Sequence, residues 1–219
     1  MTGRLVREGS QLLFNYGRSY LSRSDAITLN AAELPLERGN LPLLKGLSMP
    51  GCIRDAAPDA WGRRVLLNCL LGATGQNADV ADLDELTYLI ESGSDRIGAL
   101  DFQRSPTDYV PRTGVEATLE ELLASAEKVE RGIPLTPGLD AALQHGSSIG
   151  GARPKALITD GREKYVAKFS SSSDLYNVVK AEFIAMHLAG QCGLNVAAVK
   201  LERALNKDVL LIKRFDRVY

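Results

Sequence analysis

A run of small residues in the second half of the chain has the composition of a phosphate-binding loop. It reads Ser-Ser-Ile-Gly-Gly-Ala-Arg-Pro-Lys over residues 147–155. Backbone N–H groups can approach phosphate oxygens closely at Gly150, Gly151 and Ala152, because little or no side chain stands in the way. A Gly-Gly-Ala segment is also common in ordinary turns, so the loop by itself does not establish a phosphate site.

Two charged residues downstream of the loop support this interpretation. Lys168 ends a predicted strand, and Glu182 lies on the predicted helix that follows it. A lysine ammonium can bind phosphate oxygens as a point charge, and a buried lysine requires an anionic partner such as Glu182. A phosphate loop, a strand lysine and a helix glutamate occur in this order in protein-kinase nucleotide sites. The alternative is that Lys168 is a solvated strand end and Glu182 an exposed helix residue, and the residues alone leave both interpretations open.

The segments around these residues predict a small antiparallel sheet with one main helix. Asp160-Gly161 is a strong hairpin-turn signal between two apolar runs, and Gly193 is suited to follow the end of a helix. The predicted strands cover 155–159, 164–169, 196–201 and 209–212, and the predicted helix covers 174–191.

The first part of the chain predicts a mixture of short strands and helices. Thr118 and Glu121 match the capping box that opens a helix, and the polar, proline-containing segment 105–115 indicates a linker or exposed loop. The predicted strands cover 12–16, 26–29 and 97–102, and the predicted helices cover 58–71, 82–90, 118–131 and 138–144. The fold class is therefore α+β.

The composition is that of a globular protein, with 45% hydrophobic and 24% charged residues among 219. The net charge of −1 gives no overall basic field for nucleic acid, and the apolar runs are too short to cross a bilayer. The N-terminus lacks the apolar core of a signal peptide. The three cysteines lack metal-ligand spacing and favour reduced thiols in a cytoplasmic protein, and no metal site is predicted.

Short motifs spread along the chain together carry a family resemblance. In the second half they are SIGGARPK at 148–155, YVAKF at 165–169, AEF at 181–183, LAGQCGLNV at 188–196 and KRFDR at 213–217. In the first half they are FNY at 14–16, LPL at 34–36, DAAPDAWGR at 55–63 and DRIGAL at 95–100. In this order they resemble the HipA family, whose members are serine/threonine kinases and the toxin halves of bacterial toxin–antitoxin pairs.

The resemblance implies a division of the chain and a more specific fold. A small HipA-like N-terminal α+β subdomain would cover 1–105, and a linker with helices would cover 106–145. A kinase-like small lobe would cover 146–219, from the Gly-rich loop to the hinge, with an antiparallel sheet and one main helix.

The resemblance also implies roles for individual residues. Ser148 matches the loop serine whose autophosphorylation expels the loop and switches the kinase off, and Ser147 is a neighbouring candidate. The residues matching the nucleotide-binding positions are Ser148, Gly150, Gly151, Ala152, Lys155, Lys168 and Glu182. Lys213, Arg214 and Phe215 would lie at the hinge strand, whose backbone binds adenine. Equally, Arg214, Phe215 and Asp216 could be structural residues that hold the junction between lobes.

One part of the family pattern has no match in these residues. HipA kinases continue into a mainly helical lobe that holds the catalytic base and the Mg²⁺-binding aspartate, and neither can be identified in these 219 residues. We therefore expect no catalytic residue in this chain, ATP as the cofactor with Mg²⁺ only when that lobe is present, and no phosphate transfer by the chain alone.

The resemblance implies partners as well. These are a helix-turn-helix antitoxin and a protein substrate such as an aminoacyl-tRNA synthetase, with DNA contacted only through the antitoxin and no membrane. An alternative is a non-catalytic, truncated relative that binds the antitoxin or a full-length kinase. A third interpretation, an α+β domain unrelated to kinases, predicts that Lys168 and Glu182 lie far apart.

Overall fold

The computed structural model describes residues 1–72, 79, 81, 83–114 and 116–217, and its fold class is α+β, as predicted. The chain forms two compact units. The first contains residues 1–57 and 103–110, and the second contains residues 58–102 and 111–219. This division by packing differs from the predicted family boundaries, which remain a prediction.

The first unit is built on a β-hairpin. Strand β1 (Gly3–Glu8) pairs antiparallel with β2 (Gln11–Tyr16), and the short helices α1 (Arg18–Leu21) and α2 (Gly51–Arg54) follow. The predicted strand at 26–29 is wrong. Its backbone has no partner strand within the described residues, and the Leu29 N–H instead donates to the Tyr16 hydroxyl at 3.0 Å.

Four helices of the second unit precede its sheet: α3 (Ala60–Leu71), α4 (Glu85–Glu91), α5 (Leu119–Glu130) and α6 (Pro137–His145). The predicted end of α3 is confirmed, because Gly72 takes the left-handed φ of +56° that favours glycine. The capping box that opens α5 is also confirmed. The predicted start of α4 at Asp82 lies outside the described residues, as does Val115 of the predicted linker.

The sheet of the second unit has four antiparallel strands in the order β3-β4-β6-β5. They are β3 (Lys155–Asp160), β4 (Glu163–Lys168), β5 (Val199–Ala204) and β6 (Lys207–Lys213). Helix α7 (Val178–Gln191) connects β4 to β5 and packs on β5 and β6. The tight turn at Asp160-Gly161 forms where predicted, with Gly161 at φ +62°. In the turn between β5 and β6, Leu205 and Asn206 have φ +46° and +62°.

The core of the second unit lies between α3, α5 and α6 and the sheet. It is formed by apolar side chains that are almost fully buried, among them Trp61, Val65, Leu122, Leu123, Leu143, Ala156, Tyr165, Ala167, Phe169, Val209 and Leu211. In α7, by contrast, Val179 is buried while Ile184 and Leu188 are more than half exposed. Within the described ranges, none of the helices combines the length and apolar character that a membrane crossing requires.

Two predicted elements of this unit need correction. Residues 97–102 form a loop rather than a strand, because the Asp101 carboxylate accepts from the Phe102 N–H at 2.8 Å and from the Arg112 guanidinium at 2.6 Å. Helix α7 begins at Val178 rather than at 174. The Asn177 side chain caps it by accepting from the Lys180 N–H, and the Asp174 carboxylate is held elsewhere.

Candidate phosphate-binding site

The Gly-rich loop joins α6 to β3 and is held against the first turn of α3. The indole N–H of Trp61 donates to the Lys155 carbonyl at 2.8 Å. Gly62 lies against the start of the loop, where a Cβ would come within 2.0 Å of the Ser147 carbonyl oxygen. The Asp59 carboxylate accepts from the Gly151 N–H at 2.5 Å. One helical turn therefore contacts the beginning, the middle and the end of the loop.

Lys155 lies at the end of the loop with only 2% of its surface exposed. Its ammonium donates to the Gly151 carbonyl at 2.8 Å, which closes the loop on itself. Gly151 has φ +111°, a backbone conformation that favours glycine. Burial, together with the positive charge of Lys168, lowers the pKa of Lys155 to about 8. An anion at this position would raise the pKa of Lys155 back toward its usual value.

The predicted pair of Lys168 and Glu182 is present. Lys168 ends β4 beside Lys155 of β3, and its ammonium forms an ion pair with the Glu182 carboxylate on α7. Both side chains are between a quarter and a third exposed. The interpretation of an unrelated α+β domain, which required these two residues to lie far apart, is therefore wrong.

A second ion pair fixes the far side of the loop. The Arg153 guanidinium donates to both oxygens of the Asp174 carboxylate, at 2.8 and 2.5 Å. The hydrogen bonds from Arg153 hold the pKa of Asp174 below its usual range. A bidentate pair of this kind is geometrically specific, so it ties the loop to the segment that leads into α7.

Both candidate phosphorylation sites are enclosed. Ser147 is fully buried, and its hydroxyl donates to the Gln144 carbonyl at 2.7 Å. The Ser148 hydroxyl oxygen is buried and has no hydrogen-bond partner among the described residues. Neither hydroxyl is accessible in this conformation of the loop, so modification of either would require the loop to move.

The predicted hinge residues are divided between sheet and surface. The Lys213 N–H donates to the Ala198 carbonyl and the Arg214 N–H to the Lys164 carbonyl, each at 2.8 Å, so both groups complete the sheet. The Lys213 side chain forms an ion pair with Glu163. Phe215 is 82% exposed.

Arg214 is buried and has a structural role. Its guanidinium donates to the carboxylates of Asp95 at 2.8 Å and Asp216 at 2.7 Å. Asp95 also accepts from Lys164 at 2.7 Å and from Arg217 at 2.9 Å. Burial alone would raise the pKa of Asp95, but these cations hold it below its usual range. Of the two interpretations of this motif, the geometry favours the structural one for Arg214 and Asp216.

Two family models match the chain along most of its length. The HipA N-terminal domain matches residues 1–103, and the HipA-like C-terminal domain matches residues 147–219. The chain belongs to the HipA family. Membership places it in a toxin–antitoxin family.

A solved structure with the same fold comes from the HipA, HipB and operator DNA complex of the Shewanella oneidensis MR-1 toxin–antitoxin system. The TM-score is 0.52 and the sequence identity is 20%. The match covers 100% of this chain but 49% of the other, so the chain spans about half the length of the protein it resembles. Among curated proteins, no sequence match was found.

Sequence reasoning missed three side chains that hold the loop of this HipA-family chain: Asp59, Arg153 and Asp174. Arg153 lies inside the loop motif, and Asp59 lies inside a first-half motif, so both had a signal in the sequence. Their contacts span 21 and 92 positions of sequence, which local pattern does not reveal. The described residues contain no group of three or more His, Cys, Asp or Glu side chains that could hold a metal ion.

Proposed function

We propose that this chain is the N-terminal portion of a HipA-like serine/threonine protein kinase toxin and contributes the ATP phosphate loop and the phosphate-binding lysine. The observation that carries the proposal is the Lys168–Glu182 ion pair beside the Gly-rich loop. In kinase nucleotide sites, the same pair positions a lysine on the nucleotide phosphates. Family membership supports the assignment independently of this geometry.

The residues divide the work of nucleotide binding between backbone and side chains. Gly150, Gly151 and Ala152 would present N–H groups to the phosphates, and Lys155 and Lys168 would supply positive charge. Glu182 would orient Lys168. The Ser148 hydroxyl would be the regulatory phosphorylation site, with Ser147 as the neighbouring candidate.

Catalysis requires more than these residues provide. Phosphoryl transfer needs a base and a metal site in addition to phosphate positioning, and this chain spans about half of the HipA structure that it matches. We therefore propose that the 219-residue chain by itself binds ATP weakly and transfers no phosphate. Mg²⁺ would bind together with ATP in the presence of a catalytic lobe.

The proposed partners follow from the family. The matched structure is a complex of HipA with HipB and operator DNA, which supports a helix-turn-helix antitoxin as partner and DNA contact through that antitoxin. The substrate would be a protein, such as an aminoacyl-tRNA synthetase, in the cytoplasm. Free cysteines at positions 52, 69 and 192 suit a reducing compartment. The alternative is a non-catalytic relative that binds the antitoxin or a full-length kinase, and the length of the native reading frame decides between the two.

The test is ATP–Mg²⁺ binding and autophosphorylation of the 219-residue chain beside two variants. Lys168→Ala should weaken ATP binding by about tenfold or more, since a charged contact to phosphate is lost. Lys200→Ala is the matched control, because it removes an equal charge from the exposed face of β5 in the same sheet. No phosphate should appear on Ser147 or Ser148.

Two results would contradict the proposal. Equal ATP affinity in the wild type and Lys168→Ala would remove Lys168 from the nucleotide site. Phosphorylation by the wild-type chain that disappears in Lys168→Ala would mean that these 219 residues already hold a complete catalytic apparatus.

A further inference from the structure

Asp59 occupies the N-cap position of α3 but does not cap the helix. The side chains at the N-cap positions of α4, α5 and α7 each accept a hydrogen bond from their own helix, whereas Asp59 does not. Its carboxylate instead accepts from the Gly151 N–H of the Gly-rich loop at 2.5 Å. An aspartate in this position ordinarily caps and stabilises its own helix. The Asp59 side chain contacts the loop instead.

The carboxylate lies directly on the loop backbone. A Cβ placed on Gly150 would be 3.0 Å from the Asp59 Oδ2 atom, so a glycine at that position gives the carboxylate its room. The negative charge of Asp59 also acts on Lys155, whose pKa is lowered to about 8 by burial and by Lys168 and is shifted in the opposite direction by Asp59. Backbone N–H groups and lysine charges are the two kinds of group that the proposed site offers to a phosphate, and Asp59 acts on one of each.

We propose that Asp59 is a carboxylate latch on the phosphate loop, which occupies the Gly151 N–H in the nucleotide-free chain and competes with the nucleotide phosphate for it. The inference rests on the proposed function of the loop. When Asp59 leaves the Gly151 N–H, its carboxylate has another set of donors. The first N–H groups of α3 lack intrahelical acceptors and can donate to it. In the nucleotide-bound state, the phosphate would accept from the Gly151 N–H, and the Asp59 carboxylate would cap α3.

If Asp59 is a latch, its removal should change phosphate affinity in the opposite direction to removal of an ordinary binding residue. Removal of a residue that holds the loop ready for phosphate would weaken phosphate binding. Removal of a competitor strengthens it, because the apparent dissociation constant is the intrinsic one divided by the fraction of open loop. The direction of the change therefore separates the two roles of Asp59.

The experiment uses Trp61, the one tryptophan in the chain, as the reporter. Its indole N–H is bonded to Lys155 at the end of the loop. Fluorescence titration with inorganic triphosphate, and separately with ATP, would compare the wild type with Asp59→Ala and Asp59→Asn. Asp55→Ala is the matched control, since it removes the same charge from an exposed position four residues earlier.

We expect Asp59→Ala to bind triphosphate about tenfold more tightly than the wild type, as loss of a charge-assisted hydrogen bond to the loop would allow. The triphosphate affinity of Asp59→Asn should lie between those of Asp59→Ala and the wild type, and that of Asp55→Ala should equal the wild-type value. In the ligand-free chain, the Gly151 amide should exchange its hydrogen faster in Asp59→Ala than in the wild type. This exchange measurement tests the contact without any ligand.

The outcomes separate this proposal from the one on which it rests. If the wild type binds ATP in a Lys168-dependent way and Asp59→Ala binds equally or less tightly, the latch is refuted and the proposed function stands. If no variant binds triphosphate or ATP, the proposed function itself fails. Equal exchange of the Gly151 amide in the wild type and Asp59→Ala would refute the latch whatever the ligand data show.

Discussion

Replacement of Gly62 by alanine should destabilise the second unit, against the usual preference of helices for alanine. Gly62 is buried in the first turn of α3. A Cβ there would lie 2.0 Å from the Ser147 carbonyl oxygen, 2.8 Å from the Pro58 Cβ and 3.0 Å from the Ser147 carbonyl carbon. These neighbours are backbone atoms and a proline ring, which cannot rotate away as the end of a flexible side chain would.

The expected magnitude is the balance of two terms. Alanine gains about 1 kcal/mol over glycine from helix propensity, and overpacking of a buried site costs about 1–3 kcal/mol. The overlap at Gly62 is severe, so we take the upper end and expect a net loss of about 2 kcal/mol. For a unit of this size, that loss lowers the melting temperature by about 4–8 °C. The start of the loop at Ser147 must also shift.

The assay is urea unfolding followed by Trp61 fluorescence, which reports the second unit. Gly138→Ala is the matched control, because Gly138 lies in α6, where an added Cβ would meet no atom within 4 Å, and the variant should gain up to about 1 kcal/mol. The two variants should therefore move the midpoint in opposite directions. A Gly62→Ala protein as stable as the wild type would refute the argument that α3 and the loop are in direct contact.

Further predictions concern the charge network, the buried lysine and the loop serines. Arg214→Met should lower the free energy of unfolding by about 2 kcal/mol in urea, because the buried Asp95 carboxylate loses its charge-assisted hydrogen bond from Arg214, although its pairs with Lys164 and Arg217 remain. Arg203→Met at an exposed position of β5 should leave the midpoint unchanged. Burial lowers the pKa of Lys155 to about 8, so the unfolded chain binds more protons between about pH 8 and 10.5, and stability should rise with pH across that window. Lys155→Met should abolish this rise. Urea titrations at several pH values measure it, and the same dependence of stability on pH in Lys155→Met and the wild type would contradict the prediction. Ser147→Ala should cost about 1 kcal/mol, because its hydroxyl donates to the Gln144 carbonyl and accepts from the Gly93 N–H. Ser148→Ala should not lower stability, since its buried hydroxyl has no partner among the described residues. Equal melting temperatures for the two serine variants would contradict this difference.

The elements that the sequence predicted correctly are those with strong local signals. The hairpin around Asp160-Gly161 combines a turn dipeptide with two apolar runs, and the capping box of Thr118 and Glu121 sets the start of α5. Such signals act within a few residues, so they need no knowledge of the rest of the fold. The Lys168–Glu182 pair was predicted with the help of the family resemblance, because the residues alone left open whether both side chains are solvated.

The wrong strand predictions and the missed Asp59 contact share one cause, which is that they depend on residues distant in the sequence. The segments 26–29 and 97–102 have the composition of strands but lack a partner strand within the described residues. A short apolar run does not reveal whether its backbone groups will be paired by a strand or by side chains such as Tyr16 and Asp101. Likewise, the contact between Asp59 and the loop depends on how α3 packs on the sheet, which local sequence does not specify.

The packing of the second unit explains why residues from both family models are needed for one site. Trp61 and Asp95 lie in the segment matched by the HipA N-terminal domain, whereas Lys155 and Arg214 lie in the segment matched by the HipA-like C-terminal domain. Trp61 donates to the Lys155 carbonyl, and Asp95 neutralises the buried Arg214 guanidinium. A buried guanidinium without its carboxylate and a core without its tryptophan are each strongly destabilising. The Gly-rich loop therefore takes its conformation from the N-terminal segment as much as from its own sequence, which makes the first turn of α3 part of the proposed nucleotide site.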